Sequence, residues 1–209
     1  MRFCHSVSLI WLWLAGCTSQ SEIIATNENY GEKDGGVWVR GPWGAVKPSK
    51  DIDEVIDQLC PAVMALPRAT FGDYGAEYCG IIYSLEDGTY YASHASPLGK
   101  DVRLHQSRRK QCQVPNQVVD SRGQPEFVAD FHGHPWAGSE MSQWDMKAAN
   151  QLYSIRVQFD TECRVLKLIP YKKEDRPGEV YAREGKSWRL VGVIKPEHKA
   201  DGIMTPVER

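Results

Sequence analysis

The run FHGHPWAGSEMSQWD, Phe131 to Asp145, constrains the fold more tightly than any other stretch of the chain. On a β-strand, residues two apart point to the same face, so His132 and His134 at a strand end aim their imidazoles the same way. Gly133 between them has no side chain to crowd an approach. Pro135 lacks an N–H and stops the hydrogen-bond ladder. A short loop, WAGSEM, then leads to Ser142, a good N-cap residue, with Asp145 in the first turn of the helix it starts. The sequence therefore predicts a strand end, a sharp exit and a helix start folded back over that end. Asp145 is thereby carried towards the two histidines.

The neighbouring segments predict what this unit packs against. Ile52, Val55, Ile56, Leu59, Cys60 and Val63 recur at helical spacing after Ser49, the expected cap, with Asp51 and Asp53 in the first turn and Pro61 breaking or kinking its end. EYCGIIYSLEDGTYYASHA reads as strand, Asp87-Gly88 turn, strand. A polar loop is expected from about Ser96 to Gln124, then a strand, EFVADFHGH, and a helix, SQWDMKAANQLY. SIRVQF, CRVLKLIPY and WRLVGVI supply three more strands. The expected fold class is α+β, a sandwich of helices packed on a mostly antiparallel sheet. At 209 residues the chain suits one domain with extensions.

The first residues, MRFCHSVSLIWLWLAGC, combine Arg2, a short apolar run and small residues at Ala15 and Gly16. This is the build of an export signal and too short for a membrane span. LAGC resembles the lipobox of bacterial lipoproteins, which implies lipidation of Cys17; a plain secretory signal cut near Ala15–Gly16 is the alternative. Thr18 after that cysteine suggests, in a diderm source, an outer-membrane anchor facing the periplasm. The expected organisation is a signal over residues 1–16, an anchor and flexible tether over 17–48, the main domain over 49–170 and a C-terminal extension with one strand over 171–209. Trp38 and Trp43 are candidates to dock from the tether onto the body. Export leaves Cys60, Cys79, Cys112 and Cys163 in an oxidising compartment, where two disulfides are expected in any of three pairings. A formal charge of −2 without long basic runs gives no electrostatic reason to expect nucleic acid.

Two imidazoles and a carboxylate suit Zn²⁺, and three protein ligands leave a fourth position for water, the arrangement of catalytic sites. His-x-His alone is common, and Ser-x-x-Asp alone is a passable helix cap. A hydrolytic site also needs a proton acceptor. Glu77 is the best candidate, because it adjoins the buried-looking run YCGIIY, where a lone charge is expensive. Ser142 can face the metal from the positive end of its helix. Trp136 and Trp144 adjoin the motif and can serve packing or a substrate groove.

Glu77, His132-Gly-His134-Pro135 and Ser142-Gln-Trp-Asp145, with seven residues between His134 and Ser142, resemble the signature of the JAMM (MPN-type) zinc metalloproteases. The resemblance covers roughly residues 50 to 170. It implies an MPN-like, cytidine-deaminase-like layered architecture. It further implies Zn²⁺ on His132, His134 and Asp145, Glu77 as general base and then acid, and Ser142 polarising an oxyanion. Gly133 departs from the Ser or Thr often found there. Deaminase and thermolysin-type motifs are absent from the chain. The expected function is zinc-dependent cleavage of an amide bond in the cell envelope, on a protein or a peptidoglycan peptide. The alternative is a non-catalytic MPN-fold binding or immunity lipoprotein that keeps the site.

Overall fold

The computed structural model describes residues 27–104 and 107–208. The expected signal, the lipidation site at Cys17 and the first part of the tether lie outside the described residues. In chain order the strands are β1 (Tyr30–Lys33), β2 (Gly36–Arg40), β3 (Tyr78–Ser84), β4 (Tyr90–Ala92), β5 (Gly99–Leu104), β6 (Ser107–Cys112) and β7 (Gln117–Val119). They continue as β8 (Glu126–Gly133), β9 (Ile155–Phe159), β10 (Val165–Ile169), β11 (Gly178–Glu184), β12 (Ser187–Ile194) and β13 (Thr205–Pro206). The α-helices are α1 (Ile52–Met64) and α2 (Gln143–Met146).

Eight strands form one sheet in the order β13-β12-β11-β10-β9-β8-β3-β4. Its neighbours pair antiparallel except β8 and β9, which run parallel. The crossover between those two strands carries the loop after His134 and α2. β1, β2 and β7 make a small second sheet, and β5 pairs with β6 as a separate hairpin.

Helix α1 buries Val55, Ile56, Leu59, Cys60 and Val63, the positions its periodicity singled out. They pack on one face of the main sheet against Ile82, Ala129, Phe131, Val157 and Phe159. The N-cap is Asp51, which accepts from Asp53 N at 2.9 Å. Ser49, the expected cap, sits two residues earlier, accepting from Asp51 N and donating to Glu54. Pro61 lies inside the helix, which continues to Met64. On the opposite face, Ile81, Tyr83 and Tyr91 pack against Val37, Val39 and Val118 of the small sheet.

Several expectations are corrected here. The protein is β-rich, 38% strand against 15% helix, with only two α-helices among the described residues. It is therefore not a layer of helices packed on a sheet. The segment SQWDMKAANQLY forms only four residues of α-helix, because side chains take the carbonyls that would carry it on. Asn150 Nδ2 donates to Trp144 O, while Gln151 Nε2 and Arg156 Nη1 donate to Asp145 O. Ala148 N turns away to Lys199 O. The expected tether is folded from Tyr30 onward, since Val37 and Val39 alternate onto the core and are fully buried, as nearly is Trp43. The expected loop from Ser96 to Gln124 holds β5, β6 and β7. The C-terminal extension adds β11, β12 and β13 to the main sheet rather than a single strand.

Two disulfides settle the pairing that spacing left open. Cys60–Cys163 ties α1 to the turn between β9 and β10, and Cys79–Cys112 ties β3 to the end of β6. The small sheet is fastened to the main one through Asp120, just past β7. Its Oδ2 accepts from the Tyr83 hydroxyl at 2.6 Å, and Arg122 donates to both carboxylate oxygens. The Arg122 hydrogen bonds, helped by Tyr83, hold the Asp120 carboxyl down at about 2 against its ordinary 3.8. A depressed carboxyl contributes stability at pH values above the unfolded pKa and loses it as pH falls through the folded one. Thermal unfolding followed from about pH 5 to pH 2 should therefore show a midpoint that falls more steeply for the native chain than for Asp120→Asn. Parallel curves would mean that this contact contributes nothing to acid lability.

Candidate metal centre

The site is built where β8 ends. Alternation along β8 sends Ala129 and Phe131 to the α1 face and Asp130 and His132 to the other. Gly133 returns to the α1 face, where no side chain fits. A Cβ there would lie 2.9 Å from Phe159 Cε2, 3.0 Å from Met64 Cε and 3.2 Å from Val63 Cγ1. Glycine between the two histidines is thus dictated by how closely the helix packs on the strand. His134 extends the pairing by one step, donating its backbone N–H to Phe159 O at 2.8 Å, before Pro135 turns the chain away.

The three expected ligands converge. His132 Nε2 is 3.6 Å from Asp145 Oδ1, and His134 Nε2 is 3.8 Å from Asp145 Oδ2. One ligand atom from each residue lies within 4.8 Å of the others, and all three residues are buried. Donors around a tetrahedral ion at ~2.0–2.2 Å stand roughly 3.3–3.6 Å apart, so this spacing needs little closure to hold one. His132 Nε2 is a buried nitrogen with no hydrogen-bond partner, an arrangement that is expensive unless something else engages it. The other ring is held from behind, with His134 Nδ1 against Ser139 Oγ and the imidazole stacked on Trp136 at 5.1 Å.

Protonation states suit the same purpose. Burial pushes the His132 imidazole down to about 3, despite the opposing pull of Asp145, so it is neutral and keeps a lone pair. Burial alone would raise the Asp145 carboxyl. Electrostatic coupling to His132, the Ser142 hydrogen bond, His134 and Arg156 together lower it instead, so it remains ionised.

Ser142 is the N-cap of α2, and with Asp145 it closes a reciprocal capping box. Its hydroxyl donates to Asp145 Oδ2 and accepts from Asp145 N at 3.2 Å. The serine thus meets the centre through Asp145. Glu77 stands immediately before β3, whose register sets Tyr78 opposite Gly133 and Cys79 opposite His132. It is only 5% exposed and lines two cavities, of about 660 and 380 Å³, that meet at Glu77, Gln111 and Asp145. His132 lies in the wall of the larger cavity and His134 in that of the smaller. Trp144 and Trp136 line the larger and the smaller respectively. The Cys79–Cys112 disulfide forms part of the larger wall.

Sequence reasoning missed the residues that hold these groups in place. Arg156, on β9, is 3% exposed and reaches three acceptors: Asp130 Oδ2 at 2.8 Å, Asp145 O at 2.8 Å and Asn150 O at 2.9 Å. It fastens the strand bearing His132 to the helix bearing Asp145. Its signal was an arginine amid the apolar residues of SIRVQF, opposite an aspartate on the same face of β8 as His132. Asp160, fully buried, accepts from Gly138 N at 3.0 Å, and Gln158 Nε2 donates to Ser139 O at 3.2 Å. Together they pin the loop that supports His134.

Searches of this chain against protein-family models, curated proteins and solved structures find no match.

Partners behind metal ligands commonly change affinity by 10–100-fold when altered. Ser142→Ala and Arg156→Lys should each weaken Zn²⁺ binding by roughly that factor, measured by competition with a chromophoric chelator. Unchanged affinity in both would mean that His132, His134 and Asp145 hold their positions without this support.

Proposed function

We propose that the protein is a zinc-dependent hydrolase that cleaves an amide bond, with the site organisation that its resemblance to the JAMM-type metalloproteases implies. The observation that carries this reading is the convergence of His132, His134 and Asp145 beside a buried Glu77, with His132 Nε2 left unpartnered by the protein. Zn²⁺ bound by these three residues would supply a Lewis acid and lower the pKa of water to near ~7.

The chain's own groups do the rest. The Glu77 carboxylate takes a proton from the attacking water and returns it to the departing amide nitrogen, so proton and leaving group balance. Glu77 borders both cavities, which lets it face both the incoming water and the leaving amine. Ser142 fixes the Asp145 carboxylate through its hydroxyl, and to polarise a developing oxyanion that single O–H would have to turn from Asp145 Oδ2 to the substrate. Burial of His132 and His134 excludes water from behind the ligands and keeps His132 neutral.

We place this activity in the cell envelope. The export-type N-terminus and the lipobox-like LAGC ending at Cys17 support that placement, and two disulfides fit an oxidising compartment. A polypeptide of that compartment or a peptidoglycan peptide would be the substrate. Membrane attachment would come through the lipid on Cys17, in the outer membrane of a diderm source. No helix among the described residues is long and apolar enough to cross a membrane.

The test is metal content by mass spectrometry on the chain after Cys17, together with hydrolysis of capped peptides. The native protein should carry about one zinc, as expected for a three-ligand site. His134→Ala should lose the metal. Glu77→Gln should keep it and lose hydrolysis by about 10²-fold or more. A native protein that binds zinc and cuts nothing would favour the metal-bearing binding module. One that refuses zinc would remove the proposal altogether.

A further inference from the structure

The two cavities are unequal, and what lines them selects a substrate. They share Glu77, Gln111 and Asp145 in their walls, with His132 in one and His134 in the other, so they adjoin at the centre as two lobes of one cleft. A blind pocket would admit only the end of a chain. A cleft leading away on both sides accepts a chain that continues past the reacting bond.

The larger lobe presents two big apolar side chains to solvent. Trp144 is 57% exposed and Leu152 is 56% exposed, although both belong to the wall of a cavity beside buried His132. Large apolar groups left open at a cavity wall mark a surface with something to bind. Neither is required by the core, since neither belongs to any of the three apolar clusters. The same lobe carries Lys100 on β5, which enters none of the described ion pairs. The other cation among the described wall residues, the Arg156 guanidinium, is already committed to Asp130 and two carbonyls. Among its described wall residues the lobe therefore offers an apolar platform, with Lys147 Nζ 5.8 Å from the Trp144 ring centroid, and the ammonium of Lys100.

We infer that the cleft binds an internal stretch of polypeptide, with a bulky apolar side chain on Trp144 and Leu152 and a neighbouring carboxylate towards Lys100. This rests on the amide-hydrolase reading for the chemistry, though the binding preference can be measured without turnover. The smaller lobe, formed by Trp136, Gly138, Ser139 and Glu140, receives the chain on the other side of the reacting amide. Among its described wall residues the charge outside the centre is the carboxylate of Glu140, so a second acidic residue on that side is disfavoured.

Binding is read by calorimetry on zinc-loaded Glu77→Gln protein. The probes are octapeptides, acetylated and amidated at their ends, in which an adjacent Leu-Glu pair is moved along a Gly-Ala background. A matched set carries Ser-Lys. Leu-Glu peptides should bind roughly tenfold or more tighter than Ser-Lys peptides at the best position. Trp144→Ala with Leu152→Ala should erase the Leu preference, and Lys100→Glu should reverse the Glu preference, with zinc content unchanged in both. Equal binding of the two sets, or binding that appears only when the same peptides are made with a free end, overturns the inference.

Native zinc-loaded protein given the same peptides separates this inference from the hydrolase proposal. Preferential binding without cleavage leaves the cleft assignment standing and removes the hydrolase. Cleavage indifferent to the Leu-Glu pair does the reverse. Neither binding nor cleavage removes both.

Discussion

The buried Arg156 guanidinium ties together three pieces of chain around the centre. Its Nε pairs with Asp130 on β8, while its two terminal nitrogens hold the carbonyls of Asp145 and Asn150. β8 and β9 run parallel, the only parallel contact in the large sheet, and a parallel pair must be joined by a crossover. Here the crossover carries the site, and Arg156 reaches from one strand of the pair into the connection itself. Without that reach, Asp145 would sit on a helix of one turn held by its capping box and the Asn150 and Gln151 amides.

Such a pair is poorly explained as a source of stability. Desolvating two charges offsets most of their attraction, so a buried ion pair tends to be retained for the geometry it enforces. Asp130 illustrates the cost. It is fully buried, one of its carboxylate oxygens has no hydrogen-bond partner, and burial raises its carboxyl even with Arg156 alongside. Apolar residues would pack more cheaply, but they could not present three donors in a plane to a carboxylate and two carbonyls. Asp160 repeats the pattern on a smaller scale, because one buried carboxylate accepts from Gly138, Glu162 and Arg164 and so fixes the loop behind His134. The disulfides work at longer range. Cys60–Cys163 closes a separation of 103 residues and seats α1 on the sheet, and Cys79–Cys112 brings the β5–β6 hairpin to the edge of the centre.

What the sequence made legible follows from where its periodicities are clean. The apolar spacing from Ile52 to Val63 located α1 closely, and the run from Phe131 to Asp145 brought His132, His134 and Asp145 together by strand alternation and helix capping alone. Glu77 was found by the expense of burying a charge beside YCGIIY, and it is buried at both cavities. β5 and β6 were missed because GKDVRL and SRRKQC are too charged to show an apolar alternation. β1 and β2 were missed because glycine-rich YGEK and GVWVR read as linker until Val37 and Val39 find Ile81 and Tyr83. The helix layer was overestimated for a different reason. SQWDMKAANQLY carries good helix formers, and propensity is a weak prior that competing hydrogen bonds override.

That override has a consequence for the cleft. A helix running on through Tyr153 would place Ala149 and Leu152 along one continuous rod, with its carbonyls satisfied internally. Instead the chain leaves α2 at Lys147 in an extended conformation, and Asn150, Gln151 and Arg156 take over the freed carbonyls. Ala149, Asn150 and Leu152 thereby become wall residues of the larger cavity, with Trp144 at its lip. The side chains that end the helix are thus the ones that orient Asp145 and open the space beside it. The placement of Asp145 and the shape of the cavity are coupled through a single set of hydrogen bonds, and a change that lengthened α2 would alter both together.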